Sequence, residues 1–525
     1  MSVALTGGEL AVRSLAAHGV EIVFGIPGTH NLELYAHLGE HAIRHVSPRH
    51  EQGGGYAADG YARASGRPGV VITTAGPALL NVAAAAGQAQ SDSVPLLVLS
   101  PGMPRDHPAA SSGYLHEMPS QQRALSGVVE RSVRVTSHAE LGRELAGAFA
   151  AFASQRPRAR HVEIPLDLLA EAAAAEVPVA PDVARPAPAP AAVAAAAERL
   201  RLAERPGVVA GGGAAGAAGA LTRLAERLGA PVITTANGKG AIPDRHPLAL
   251  GARLNLPAAR AWLEACDVVL AVGTELGESD HWGPPLQLSG ALVRVDIDPL
   301  QAHSNNVAEV ALIGDARPAL DALLDALESD ASPHVATAEL RASLDAEHRA
   351  QAGPWLDWLA AIDAVAGDDA IVAGDSAMCC YYGALGGLPA QRPRAFLYPA
   401  GFGTLGFAVP AATGAKLAAP ERRVLALSGD GGLMFTLPEL AAAAALELPL
   451  PVVVFVNDGY GEIRNEMVGA GIAPVGVDLP APDLPAAARA LGCAGADVSD
   501  PDALRDELAA AFERSQPTVI AVRER

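Results

Sequence analysis

The chain reads as an α/β protein built from three doubly wound parallel sheets. Three observations predict this. Short apolar runs such as Gly69 to Thr74, Val268 to Val272 and Val452 to Val456 alternate with Ala- and Leu-rich stretches of helical composition. Glycine turns follow several of these runs, where open α/β sheets place their ligand loops. The 525 residues are interrupted by the stretch PVAPDVARPAPAPAA, and a chain this long divides into several domains. Strands alternating with helices pair in parallel through right-handed crossovers. The three units span residues 1–175, 190–335 and 353–525.

In the first unit, Gly7 to His18 has a helical pattern and Glu21 to Phe24 begins a strand. Gly25-Ile26-Pro27-Gly28 is a turn, and Asn31 to Leu38 a helix. His45 to Pro48 is a short strand leading to Arg49-His50-Glu51. Gly69 to Thr74 is a strand, Gly76-Pro77 turns the chain, Asn81 to Gln90 is helical, and Pro95 to Ser100 is another strand. Glu171 to Ala195 is Ala/Pro-rich, a composition that resists helix and sheet and favours an extended linker. In the second unit Val208-Val209-Ala210 precedes Gly211-Gly212-Gly213 and a helix to Leu228; Val232 to Thr235, Val268 to Val272 and Val293 to Ile297 are strands. GGGAAGAAG matches the dinucleotide fingerprint only loosely, and Ala-rich sequence produces such matches by chance. Asp330 to Gln351 is a polar, helical connector.

The third unit carries the chemistry. Ile371-Val372-Ala373 is a strand, followed by the polar loop Gly374-Asp375-Ser376, which could touch a diphosphate. Val424 to Leu427 reads as a buried strand, then come Gly429, Asp430, Gly431 and Gly432. Three glycines in four residues let the backbone turn tightly and approach a ligand. Leu437 to Leu448 is a good helix former, stopped by Pro449 and Pro451. Val452 to Val456 is a second buried strand ending at Asn457, Asp458 and Gly459. A right-handed crossover makes these strands neighbours, so Asp430 and Asn457 meet at their carboxyl ends. A carboxylate, an amide oxygen and a loop carbonyl are hard ligands suited to Mg²⁺ that also contacts a phosphate. N–H groups near Gly431 and Gly432 face that phosphate.

Composition excludes several classes of function. The net charge of −20 argues against nucleic acid and anionic membranes as partners. Cys266, Cys379, Cys380 and Cys493 show no CxxC spacing, so neither a disulfide framework nor a zinc site is indicated. The amino terminus lacks a basic region followed by an apolar core, and no run of 18 apolar residues occurs, which reads as a cytoplasmic protein.

The GDG turn followed by a helix, a strand and Asn resembles the thiamine-diphosphate signature. The resemblance, to the acetolactate-synthase and 2-oxo-acid-decarboxylase group, covers nearly the whole chain. It implies pyrimidine-binding, central and diphosphate-binding domains in that order. It also implies thiamine diphosphate and Mg²⁺ as cofactors, with the metal held by Asp430, Asn457 and the carbonyl of Gly459, and the diphosphate beside Gly429, Gly431 and Gly432. Arg49-His50-Glu51 with Ala58-Asp59-Gly60-Tyr61-Ala62-Arg63 is similar to the pyrimidine-binding domain. Glu51 falls on that family's catalytic glutamate, whose carboxyl hydrogen-bonds a pyrimidine ring nitrogen and makes the neighbouring amino group a base. In Gly401-Phe402-Gly403-Thr404-Leu405-Gly406, the resemblance gives the Gly403 carbonyl to the aminopyrimidine N–H and makes Leu405 the wedge that bends the cofactor. Gly76-Pro77-Ala78-Leu79-Leu80-Asn81 departs from the family's GPGxTN, with Ala for the second Gly and Leu for Thr. Some members hold FAD in the central domain; here a structural spacer is the expectation. In relatives the pyrimidine and diphosphate domains of one site come from different subunits, which implies a homodimer or a dimer of dimers.

The expected reaction is loss of carbon dioxide from a 2-oxo acid, with the product either protonated to an aldehyde or ligated to a second carbonyl compound as in acetolactate synthases. Several stretches resemble the guanidino-oxo-pentanoate decarboxylase branch: Gly25-Ile26-Pro27-Gly28 with Asn31-Leu32-Glu33-Leu34-Tyr35, Leu115-His116-Glu117 with Gln121-Gln122-Arg123-Ala124, and Gly459-Tyr460-Gly461-Glu462-Ile463-Arg464. A guanidinium tail needs a carboxylate partner, and Glu462 and Glu117 are the candidates. His116 is a candidate to contact the substrate carboxylate or carry a proton.

Overall fold

The computed structural model describes residues 3–108, 111–178, 183–327 and 337–524. Three six-stranded parallel sheets follow one another along the chain. The amino-terminal sheet runs, edge to edge, Arg44–Val46, Ile22–Gly25, Gly69–Ile72, Leu96–Gly102, Arg160–Pro165, Arg131–Arg134. The central sheet runs Ala249–Gly251, Val232–Thr234, Pro206–Ala210, Val268–Val272, Ala291–Asp296, Val310–Ile313. The carboxy-terminal sheet runs Phe396–Leu397, Ile371–Gly374, Val424–Gly429, Pro451–Val456, Thr518–Arg523, Ala494–Val498. Central strands such as Gly69–Ile72 and Pro451–Val456 are buried along their whole length. This is why they read as continuous apolar runs, as strands covered by helices on both faces do.

Counted within each sheet, the first and third share the order 2-1-3-4-6-5, although no sequence repeat aligns them. The central sheet is ordered 3-2-1-4-5-6. Ligands of such sheets bind where the order reverses. In the carboxy-terminal sheet that point lies between Ile371–Gly374 and Val424–Gly429, which are paired in parallel.

The outer units dock through two helices. Helix Glu51–Ser65 lies against helix Ala408–Ala418. Glycine permits the approach, since a Cβ on Gly60 would collide with the Ala411 carbonyl oxygen and one on Gly414 with that of Ala57. Arg63 ties all three units together. It donates to Asp59 at 2.5 Å, to Asp92 at 2.8 Å, to Asn237 Oδ1 at 2.8 Å and to the Tyr398 carbonyl at 3.2 Å.

Two expectations change. The Glu171 to Ala195 stretch is not extended throughout. Ala172–Ala175 pairs antiparallel with Val3–Thr6, and Pro190 opens a helix to Arg201. Those alanines precede the prolines and keep their N–H groups for a ladder, and Pro at the first helical position loses no hydrogen bond. Residues 179–182 of this stretch, and residues 330–336 of the polar connector, lie outside the described residues; Thr337–Ala352 is helical. The helix expected at Leu437 to Leu448 is shorter, Glu439–Ala445, and the glycine turn before it already opens a separate helix, Asp430–Thr436. Pro438 separates them, because it has no N–H to give and its ring crowds the preceding turn.

Candidate active site

The oxygen cluster forms where two neighbouring strands end. Val424–Gly429 and Pro451–Val456 pair with Gly429 opposite Phe455, so Asp430 and Asn457 emerge side by side. The Asn457 backbone N–H points to Asp430 Oδ1 at 3.4 Å. Burial raises the Asp430 carboxyl, and N–H groups of Asn457, Gly431 and Asp458 oppose that rise. Gly459 has φ 150°, and a Cβ there would collide with the Val477 carbonyl oxygen. Only glycine lets the loop aim its carbonyl this way.

With its oxygen inward, the Asn457 amide stands 3.0 Å from the Gly459 carbonyl oxygen and 3.3 Å from Asp430 Oδ1. Three oxygens then face one another with no proton between them. Neighbouring ligands of an octahedral Mg²⁺ at 2.0–2.1 Å lie about 3 Å apart, so the set fits such an ion. With its nitrogen inward, the same amide donates to both atoms. Among the described residues no group of three His, Cys, Asp or Glu side chains converges on a metal position, so this one-carboxylate cluster is the candidate.

Around the cluster the glycines make room. A Cβ on Gly431 would lie 3.0 Å from the Tyr460 ring, and one on Gly432 3.0 Å from Asp375 Oδ2. The Asp375 carboxylate does not face outward. It accepts from Ser376 N, Gly406 N and Ser428 Oγ, each at 2.9 Å. It therefore braces the Gly401–Gly406 loop against the strand bearing Gly429. In that loop Gly403 has φ 63° and an open surface. Leu405 is half-buried and stands outside the buried apolar clusters.

The second group lies at the carboxyl edge of the amino-terminal sheet. Glu51 opens its helix, and Asn81 Nδ2 donates to its Oε2 at 2.9 Å. The loop that departs from the family motif at Ala78 and Leu80 thus still brings the Asn81 amide to Glu51. Glu439, from the carboxy-terminal unit, accepts from the Arg49 and His50 backbone N–H groups at 3.0 Å and 2.9 Å. Burial pushes its carboxyl up to about 7. Sequence reasoning missed Glu439 because it sits inside an Ala/Leu run read as plain helix; the Pro-Glu pair was the available signal.

His116 has φ 63°, its ring meets that of His30 at 5.0 Å, and its carbonyl oxygen packs against Gly76. Burial, with His116 beside it, lowers the His30 imidazole. Both Nδ1 atoms are buried without a hydrogen-bond partner among the described residues. His30 was not read from the sequence, since Gly28-Thr29-His30 looks like ordinary turn. The two guanidinium candidates part company. Glu117 has both oxygens engaged inside its own loop, by His107 at 2.7 Å and by the Ser112 and Gly113 N–H groups at 2.9 Å. These partners, His107 foremost, push it down to about 2. Glu462 accepts from Tyr382 through Oε1 at 2.6 Å, and its Oε2 has no partner among the described residues.

The profile of the thiamine pyrophosphate enzyme N-terminal TPP binding domain matches residues 5–124, that of the central domain residues 193–323, and that of the C-terminal TPP binding domain residues 376–522. The chain is 45% identical to the probable 2-ketoarginine decarboxylase of Pseudomonas aeruginosa, over 99% of this chain and 94% of that protein. It is 32% identical to an acetolactate synthase of Mycobacterium avium, over 98% and 87% of the two chains. It is 31% identical to the acetolactate synthase isozyme 1 large subunit of Escherichia coli, over 88% and 83%.

Proposed function

The chain belongs to the thiamine pyrophosphate enzyme family, and from that premise we propose that it decarboxylates a 2-oxo acid to an aldehyde and carbon dioxide, with 5-guanidino-2-oxopentanoate (2-ketoarginine) as the substrate. One observation carries the substrate: Glu462, a carboxylate with a free oxygen, directly follows the Asp430–Asn457–Gly459 cluster. Similarity to a probable 2-ketoarginine decarboxylase supports it. The acetolactate synthase relatives support a second reading, ligation of the decarboxylated acid to another carbonyl compound.

Thiamine diphosphate, when bound, supplies the electron sink that lets a 2-oxo acid lose carbon dioxide. The chain's own residues hold and orient. Asp430, Asn457 and the Gly459 carbonyl would hold Mg²⁺, and the glycines around Gly431 leave room for a diphosphate. Glu51 would take the pyrimidine nitrogen, its carboxylate oriented by Asn81 and its backbone fixed by Glu439. The Gly403 carbonyl and Leu405 would meet the aminopyrimidine and the bend between the rings. His116, held in a strained turn beside His30, stands on the same sheet edge as Glu51 and is the residue to hold a proton near the reacting carbon.

We read residues 1–175 as the pyrimidine unit, 353–525 as the diphosphate unit and 190–335 as a brace. Arg156 and Arg158 of the first unit reach Asp296 at 2.7 Å and Glu275 at 2.8 Å, ion pairs that tie the ends of two central strands to the first unit. We read the assembly as a homodimer, or a dimer of dimers, with shared sites. Within one chain Glu51 and the oxygen cluster have separate sets of partners. Exposed apolar residues flank both, Leu80 and Leu115 on one side and Phe402, Met434 and Phe435 on the other, as surfaces that meet a second copy do. Four free, buried thiols suit a cytoplasmic enzyme. Among the described residues no helix is long and apolar enough to cross a membrane.

The test supplies pyruvate and 5-guanidino-2-oxopentanoate side by side and measures aldehyde and acetolactate separately. Aldehyde from the guanidino acid is the expected result. Acetolactate from pyruvate, with the guanidino acid inert, would establish the ligase reading instead.

A further inference from the structure

Beside Glu462 stands an aromatic cluster that no residue so far assigned explains. After strand Ile371–Gly374 the chain forms a π-helical turn, Cys379–Ala384, a rare geometry that recurs at functional sites. It presents Tyr381 and Tyr382 with ring centroids 4.6 Å apart. Trp282, from the central unit, meets them edge to face at 6.0 Å and 5.9 Å. Trp355 stacks on Tyr382 at 6.5 Å. Trp282 has φ 50°, a left-handed backbone that bulky residues rarely adopt and that packing must enforce. The residue nonetheless remains 38% exposed.

The cluster is joined to Glu462 by the Tyr382 hydroxyl, which clamps Oε1. Burial, and the Glu462 carboxylate, raise both tyrosine hydroxyls, so they stay protonated donors at neutral pH. The arginine of the same helix, Arg464, is spent on Asp478 at 2.6 Å. Neither Glu462 nor Glu466, one turn on, has a cationic partner among the described residues. Aromatic rings and a carboxylate with a free oxygen thus stand together next to the oxygen cluster, uncompensated by any cation among the described residues.

We infer that Trp282, Tyr381 and Tyr382 with Glu462 form the subsite for a planar cationic tail, and that this cluster selects a guanidino 2-oxo acid. An aromatic face attracts a cation through its quadrupole, most strongly for an indole. A guanidinium stacks flat and donates in a fork that a compact ammonium cannot reproduce. The inference rests on the substrate reading above and extends it: selectivity lies outside the cofactor loops, and one wall of the subsite comes from the central unit.

Calorimetric titration of the thiamine-diphosphate- and Mg²⁺-loaded enzyme with 4-guanidinobutanoate tests this without turnover, because the probe has the tail and no 2-oxo group. Trp282→Leu and Glu462→Gln should each weaken binding by about 3- to 30-fold. Trp282→Phe, which restores a ring, should recover much of the loss, as a purely structural role would not predict. In turnover, the ratio of kcat/KM for 5-guanidino-2-oxopentanoate over that for 2-oxohexanoate should fall by a similar factor in the leucine and glutamine variants. Unchanged binding of the probe in both variants, or equal losses on both acids, would overturn the inference. Wild-type enzyme that binds the probe but leaves the guanidino acid intact would uphold the subsite and overturn the reaction assigned above.

Discussion

Glu439 shows how one buried carboxylate is used at a distance from the chemistry. It lies in the carboxy-terminal unit, is 3% exposed, and receives two backbone N–H groups from the segment that carries Glu51. A Cβ on Gly53 would strike its carboxyl, so the glycine run after Glu51 leaves the space it needs. Burial holds its carboxyl at about 7, against a usual value of 4.5. A raised carboxyl binds its proton more tightly folded than unfolded, so it supports the fold below about pH 4.5 and that support is lost as pH rises to about 7. A shift of this size corresponds to on the order of 3 kcal/mol. Glu439→Gln removes the titration while keeping one acceptor oxygen. Denaturant melts at pH 4.5 and 7.5 should show the stability gap between variant and wild type moving in favour of the variant at the higher pH. A constant gap would mean that Glu439 does not titrate in this window. Activity should change little at either value, because Oε1 alone accepts from both N–H groups that place the Glu51 turn and Gln keeps that oxygen.

The helices that dock the outer units depend on small residues. Gly60 and Gly414 let Glu51–Ser65 and Ala408–Ala418 approach backbone to backbone. Flanking residues such as Tyr56, Ala58, Ala411 and Ala412 are fully buried. Gly414→Ala places a methyl against the Ala57 carbonyl oxygen. Overpacking of this kind costs about 1–3 kcal/mol, partly offset by the better helix propensity of Ala. The midpoint of denaturant unfolding should drop with the slope unchanged. Because the helix it packs against opens at Glu51, activity measured well below the transition should also fall; retained activity with lowered stability would separate docking from placement.

At the scale of the molecule, Arg63 holds four partners drawn from three units, so the sheets form one body around a buried charge network. We read the two halves of the site as shared between two copies, and this leads to an assembly test. Glu51→Ala lacks the pyrimidine contact, and Asp430→Ala lacks the charged ligand for Mg²⁺; each alone should be inactive. Mixed under conditions that exchange subunits, they should regain up to about a quarter of wild-type activity, since a two-fold dimer sharing its sites leaves one intact site in each mixed pair. No recovery despite demonstrated exchange would place both residues of each site on one chain.

The α/β class, eleven of the twenty strands among the described residues, and Asp430, Asn457 and Gly459 as one cluster were legible from residue order, because apolar runs, glycine turns and crossover handedness are local or short-range rules. The common strand order of the outer sheets was not legible, since strand order depends on which edges meet and the two units share no repeat. Nor were the break at Pro438 and the pairing of Ala172–Ala175 with Val3–Thr6, where a proline inside a strong helix former and a poly-alanine before a linker each send mixed local signals. Tertiary structure alone decided that Glu117 is consumed by its own loop while Glu462 keeps a free oxygen, and that Glu439 meets the Glu51 turn, His30 meets His116 and Trp282 meets Tyr381. These residues come from segments far apart in sequence. Their roles depend on which polar groups burial leaves paired or open, a quantity that exists only once the chain has closed around them.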